Sequence, residues 1–261
     1  MISASLVRLL DEKVQEYNCD AFIPDDPISI PHCFTLAHDI EVAGFYAALF
    51  AWGQRKTILN KTNELMQRMD NAPFDFVMGA SGSELDTLNG FVHRTFNHHD
   101  IVDLTMALRG TRQEHGSWSA LFALQPGETN YGAAISRFRA EMLRYVSNVP
   151  RTSRYISDPV RGSAAKRLVM FLRWMVRDDD AGVDFGLWKQ LPQQYLSCPL
   201  DVHTARVART LGLITRKQND WRTVEELDIA LRAMDTADPA KYDFALFGMG
   251  SSGEGYGVSL G

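Results

Sequence analysis

Pro159–Arg177 reads PVRGSAAKRLVMFLRWMVR, and Cys198–Leu213 reads CPLDVHTARVARTLGL. In the first stretch Leu168, Val169, Phe171, Leu172, Met175 and Val176 recur at helical intervals after a Pro-Val-Arg-Gly-Ser turn, which predicts a helix opening near Lys166. In the second, Val202, Ala205, Val207, Ala208 and Leu211 make an apolar stripe with Arg206 and Arg209 on the other face. Asp201 stands just before that stripe, where a carboxylate accepts a backbone N–H and gains from the helix dipole, worth about 1 kcal/mol. Lys166 and Asp201 therefore sit near the openings of two helices, joined by the connector DDDAGVDFGLWKQLPQQYLSC.

Working outward, helical periodicity dominates and no period-2 run stands out, so the fold class expected is all-α. Helices are expected over Ser3–Tyr17, with Leu6, Leu9, Leu10 and Val14 on one face, and over Asp39–Trp52, Arg55–Met69 and Tyr131–Val146. Shorter ones are expected over Ser81–Asn89, His99–Leu108 and Trp118–Leu124. Two more close the chain, Val224–Met234, its start marked by Thr223, and Pro239–Met249. The segment IPDDPISIPH carries three prolines and reads as irregular.

The chain has 261 residues, enough for one domain or two closely packed lobes. Hydrophobic residues at 45% and charged residues at 23% are ordinary for a globular protein, and no stretch has the length and apolarity to span a bilayer. The N-terminus has neither a basic start nor an apolar signal core. Cys19, Cys33 and Cys198 are odd in number and scattered, which suits a reducing compartment, and the expected location is the cytoplasm. A net charge of −5 argues mildly against nucleic acid. The exception is local: between Arg137 and Arg177 ten basic residues face only Glu141 and Asp158, a bias compatible with a phosphate-facing surface.

The segment around Asp201 resembles the one after the hairpin in the helix-hairpin-helix (HhH-GPD) DNA glycosylase superfamily, on the residues Leu200, Asp201, Val202, His203, Thr204, Arg206 and Val207. The resemblance implies a two-lobed, all-α fold with the site at the cleft, in which Lys166 attacks the sugar C1′ and Asp201 offsets the developing charge. Two departures bear on it. Pro159, Val160, Arg161, Gly162 and Ser163 stand where the superfamily has a Leu-Pro-Gly-Val-Gly hairpin, and Lys166 and Asp201 are 201 − 166 = 35 positions apart, more than most members show. Both departures are similar to the archaeal 8-oxoguanine glycosylase branch, which makes an oxidised purine the preferred lesion.

The resemblance also implies substrate contacts. Gln54, flanked by Trp52 and Arg55, matches a turn whose loop fills the gap left by an extruded base. By residue type, Arg161, Gly162 and Ser163 would present a guanidinium, a close backbone approach and a hydroxyl to phosphate, and Trp52, Trp174 and Trp188 would be stacking surfaces for the base, with His203 also among the substrate contacts. The implied partner is double-stranded DNA carrying a lesion, bound by a monomer without cofactor or metal; no four-cysteine cluster is possible after Cys198. The words FLRWMVR, CPLDVHTARVARTLGL and KYDFALFGMG are similar to a bacterial family catalogued as a domain of unknown function.

Two other function classes fit the sequence: a nucleic-acid-binding protein of this fold without catalysis, and a metal-dependent phosphohydrolase using His38-Asp39 and His98-His99-Asp100 to hold an ion that activates water. The literal GxGxxG at Gly248, Gly250 and Gly253 has no strand before it, so it is read as part of a Gly-rich end, with residues 251–261 expected to be a flexible tail.

Overall fold

Short polar residues ahead of apolar runs set where the helices begin. In the computed structural model, which describes residues 2–252, Ser3 caps α1 (Ala4–Tyr17) by accepting the Leu6 N–H at 3.2 Å. Next come α2 (Ala37–Phe50), α3 (Arg55–Arg68), α4 (Pro73–Gly79) and α5 (Gly82–Leu85). A small antiparallel hairpin, β1 (Val92–His93) and β2 (Phe96–Asn97), pairs Val92 with Asn97 and His93 with Phe96. It leads into α6 (His98–His115), opened by a reciprocal Asn97–Asp100 capping box and closed by Gly116 at φ +73°. The rest is α7 (Gly132–Leu143), α8 (Val149–Thr152), α9 (Lys166–Val176), α10 (Val202–Thr210), α11 (Trp221–Met234) and α12 (Tyr242–Ser252). The chain is all-α, with that hairpin as its β content among the described residues.

Several boundaries differ from the sequence reading for local reasons. IPDDPISIPH takes part in successive 3-10 turns: Pro27 and Pro31 stand at turn starts, where no N–H is needed, and Pro24 lies inside the turn over Asp20–Asp25. Trp118–Leu124 shortens to a 3-10 turn over Ser119–Phe122, whereas α6 runs seven residues past Leu108. α11 starts at Trp221 rather than Val224: Asp220 is its cap, accepting the Thr223 N–H at 3.0 Å, and Thr223 lies inside the first turn. α12 continues through Ser252, so Ser251 and Ser252 belong to a helix; the remainder of the expected tail, and Gly253, lie outside the described residues. The other two glycines of the GxGxxG string are packing positions. A Cβ on Gly248 would run into the Tyr17 ring of α1, and one on Gly250 would lie 3.0 Å from the His203 Cβ of α10.

The chain divides into two units. One comprises residues 25–123 and 134–157, the other residues 1–24, 124–133 and 158–261. The first is built on α2, which is apolar on every side and correspondingly buried, Phe45, Tyr46, Leu49 and Phe50 all being at most 1% exposed. Its hydroxyl Tyr46 finds Thr105 Oγ1 at 2.8 Å, and Phe50 packs against Phe91 and Phe96. The second unit packs α12 against α1 and α10, with Leu10, Trp174, Met175, Leu227 and Phe244 in its core. No helix among the described residues is long and apolar enough to cross a membrane.

Candidate active site

Lys166 is the first residue of α9, and the residue before it is under strain. Ala165 adopts φ +46°, a left-handed conformation that costs an L-residue with a Cβ about 1–2 kcal/mol. It is held there by burial and by its backbone: its N–H donates to Ser163 Oγ at 3.2 Å, and its carbonyl accepts from Leu168 and Val169 at 2.9 and 3.0 Å. This turn sets the direction in which the lysine leaves the helix.

Asp201 caps α10. Its Oδ1 accepts the Thr204 N–H at 2.8 Å, which leaves Oδ2 free of the capping bond, and Oδ2 lies 3.7 Å from Lys166 Nζ. Capping and pairing thus use different oxygens of one carboxylate. The two side chains are 30% and 19% exposed, so a molecule approaching from solvent reaches both.

Behind this pair is a buried ionic network. Arg173, two turns along α9 from Lys166, pairs with Asp243 of α12 and with Asp184 at 3.2 Å. Arg177 pairs with Asp184 at 3.0 Å and Asp238 at 2.9 Å, and both guanidinium groups lie over the Phe244 ring. The Cys198 thiol faces Asp243 Oδ1 at 3.5 Å, and burial pushes that thiol well up. Burial pushes the Asp243 carboxyl up to about 6; Arg173 opposes the rise, the Asp201 charge adds to it, and Lys166 opposes it. The open pair and the buried network therefore share an electrostatic field.

The family model described as "Protein of unknown function (DUF2400)" matches residues 26–252. The chain belongs to this family. No curated protein and no solved structure matches it.

In this DUF2400 chain the residues that sequence reading grouped around Lys166 and Asp201 divide among several places. Pro159–Arg161 forms a 3-10 turn capped by Gly162 at φ +92°, and Arg161, Gly162 and Ser163 are exposed there. The turn borders an open groove of about 730 Å³ with Asn130, Trp221 and Arg222. That groove is mixed in charge, since Glu128, Asp220 and Glu225 line it too, and Ser163 Oγ is already engaged by Ala165. His203 is exposed in the first turn of α10, where its Nδ1 lies 3.4 Å from the Arg206 guanidinium. Val202, counted in the apolar stripe, is 70% exposed. Trp52, Gln54 and Arg55 are exposed around the start of α3, in the other unit.

Trp174 is corrected: it is fully buried in the core, so it offers no face to a base, and Trp188, at 2% exposed, offers none either. Besides Lys166, at least four of the ten basic residues from Arg137 to Arg177 are paired with carboxylates of the protein. Arg173 and Arg177 are spent in the buried network, Arg144 on Glu114 and Glu141, and Arg151 on Asp100 at 2.5 Å. Asp100 is thereby engaged, and Asp39 Oδ1 accepts the Phe74 N–H at 3.0 Å. His38, His98 and His99 make ring contacts instead, with Phe74 and with each other. Among the described residues the three-residue group with metal-ligand spacing is Glu114, His115 and Glu141, and Arg144 already pairs with both of its glutamates.

Sequence reading missed Asp243 and Asp184. The available signal was on α9 itself: Arg173 and Arg177, four residues apart, interrupt an apolar run, and a charge on a buried face needs a partner.

Proposed function

We propose that this protein is a DNA base-excision glycosylase and AP lyase, with Lys166 as nucleophile and Asp201 as its assistant. The observation that carries the reading is the 3.7 Å approach of Lys166 Nζ to Asp201 Oδ2 from two different helices, 35 positions apart in sequence. A surface lysine and a helix-capping aspartate have no structural need to meet, whereas the reading requires them side by side and open to substrate.

The chemistry follows from the two groups. A damaged nucleotide leaves the stack at a cost of a few kcal/mol and is presented to the pair. Asp201 Oδ2 accepts a proton from the Lys166 ammonium, and the neutral amine attacks C1′. The N–C1′ bond forms as the glycosidic C1′–N bond breaks, and the base departs with the bonding electrons and takes up the proton that Asp201 accepted, which restores the carboxylate. The attached nitrogen then passes a proton to O4′ as the C1′–O4′ bond breaks, which leaves a protonated imine between Lys166 and C1′. Loss of a C2′ proton then expels the 3′ phosphate. The Asp201 carboxylate offsets positive charge on the sugar as it develops. The resemblance to the archaeal 8-oxoguanine branch makes an oxidised purine the first lesion to try.

Borohydride trapping tests this on duplexes carrying 8-oxoguanine, uracil or an abasic site. Hydride reduces the imine to a stable amine, so a covalent protein–DNA band is expected with the wild type and is absent from Lys166→Gln. No band on any of the three duplexes, with binding retained, would leave a nucleic-acid-binding protein without this chemistry.

A further inference from the structure

Asp243 is a buried carboxylate that the chemistry above leaves unused. It stands in the first turn of α12, its side chain 8% exposed, between two partners: Oδ2 contacts the Arg173 guanidinium of α9, and Oδ1 accepts the Cys198 thiol at 3.5 Å. Arg173 is shared with Asp184 at 3.2 Å. Around Arg173 and Arg177 stand four carboxylates, Asp179, Asp184, Asp238 and Asp243, for two guanidinium groups. Asp179 and Asp238 lie at the edge of this network, 18% and 16% exposed, where water solvates their charge, and Asp184 takes both arginines. Asp243 is buried with one cation that it does not have to itself.

Two connections put Asp243 behind the Lys166–Asp201 pair, on the Asp201 side. Cys198 lies three positions before Asp201, on the segment that leads into α10, whereas Arg173 lies two turns down α9 from Lys166, a rise of about 10 Å. α10 and α12 also pack together, with Gly250 beside His203. The electrostatics agree: on Asp243, after burial and Arg173, the Asp201 charge acts more strongly than the Lys166 charge. The other charged groups near the start of α12 act elsewhere. Asp11 of α1 accepts Tyr242 Oη at 3.1 Å and pairs with Lys241 at 3.2 Å. Asp228 of α11 acts on the Cys198 thiol, which burial keeps protonated. All of these groups belong to one unit.

We propose that Asp243 is a positioning residue of the Lys166–Asp201 site, whose buried negative charge drives the lysine proton from Nζ onto Asp201 Oδ2. The inference rests on the glycosylase reading for the reaction that this transfer serves. The transfer turns an ion pair into a neutral amine and a neutral acid, so no charge enters or leaves the pair. An ionised carboxylate on the Asp201 side repels the charge that Asp201 loses more than it attracts the charge that Lys166 loses, and the neutral pair gains. Asp243 itself neither donates nor accepts a proton in this step. Below about pH 6, where burial lets Asp243 take up a proton from solvent, the push is lost.

Two measurements on the full chain test it. In borohydride trapping on an abasic duplex, Asp243→Asn should react about tenfold more slowly than wild type at pH 8, the effect of one unit of proton affinity, and within about twofold of it at pH 5. Protonated Asp243 and asparagine carry the same charge, so the gap closes with pH, whereas a structural defect would persist at both values. Asparagine leaves Arg173 its Asp184 partner and still accepts the Cys198 thiol. The second measurement needs no DNA. With Cys19→Ser and Cys33→Ser, the infrared S–H stretch belongs to Cys198 and reports protonation of its acceptor, Asp243. The band should shift with a midpoint near pH 6, at lower pH in Asp201→Asn and at higher pH in Lys166→Gln. A band indifferent to pH, a midpoint that neither variant moves, or a rate gap of the same size at both pH values overturns the proposal, as does no gap at either. The infrared arm keeps Asp243 itself, so it decides alone if Asp243→Asn does not fold. It also decides alone if the wild type traps no DNA, an outcome that sinks the glycosylase reading instead.

Discussion

α9 carries two cation–carboxylate pairs two turns apart, and they are opposites. Lys166 and Asp201, at its start, are separated by 3.7 Å and partly exposed; Arg173 and Asp243 are in direct contact, both buried, and tied through Asp184 to Arg177. The first pair has its polar atoms available to a third molecule, while the second has them fully engaged within the protein. Formal charge does not distinguish them. What does is how many partners converge, and the connector after α9 supplies Asp179 and Asp184 to the arginines and none to the lysine. The connector is therefore part of the fold, and it also hydrogen-bonds the end of α9, through Phe185 N to Trp174 O and Trp188 N to Met175 O, both at 2.8 Å.

The comparison breaks most visibly in stability. Arg173→Met removes one member of the buried network and leaves Asp243 without its cation, so a loss of about 3–5 kcal/mol is expected by urea denaturation. Lys166→Gln removes one member of the open pair and should cost under about 1 kcal/mol. Equal losses for the two variants would mean that the pairs are alike and that Lys166 is a structural residue.

A second test sharpens the contrast between open and buried carboxylates. Asp228 of α11 is buried, accepts the Ser197 hydroxyl at 2.7 Å, and is pushed up by burial from 3.8 to about 7, with Arg232 opposing. The folded state therefore holds a proton that the unfolded chain gives up, and stability falls as pH rises from about 4 through 7. Asp228→Asn removes that titration and can still accept the Ser197 bond. It should raise the melting temperature at pH 8, by an amount corresponding to about 4 kcal/mol, and change it little at pH 4. The same gain at both pH values would show that charge is not the cause.

Much of this contrast is legible in the sequence, but not all of it. The all-α class follows from periodicity, and Lys166 and Asp201 are readable as helix openers because a Pro-Gly turn and a Pro-Leu-Asp sequence mark such starts. Their convergence is not readable, since it depends on how α9, α10 and α12 pack, and a separation of 35 positions does not encode it. The misreadings share one cause: Trp174, Arg173 and Arg177 look available in the sequence because burial is a property of the packed unit, not of the residue.

The smallest expected effect separates the two roles of Asp201. Asp201→Ala loses the cap on α10 as well as the carboxylate facing Lys166, and should cost about 1 kcal/mol of stability. Asp201→Asn retains a capping oxygen for the Thr204 N–H, so its stability should match wild type to within a few tenths of a kcal/mol. In borohydride trapping both variants should fail alike, since an amide neither takes a proton from Lys166 nor offsets charge on the sugar. If trapping instead follows stability, with Asp201→Asn as active as wild type, then Asp201 acts only as a cap, and its approach to Lys166 is incidental to the chemistry.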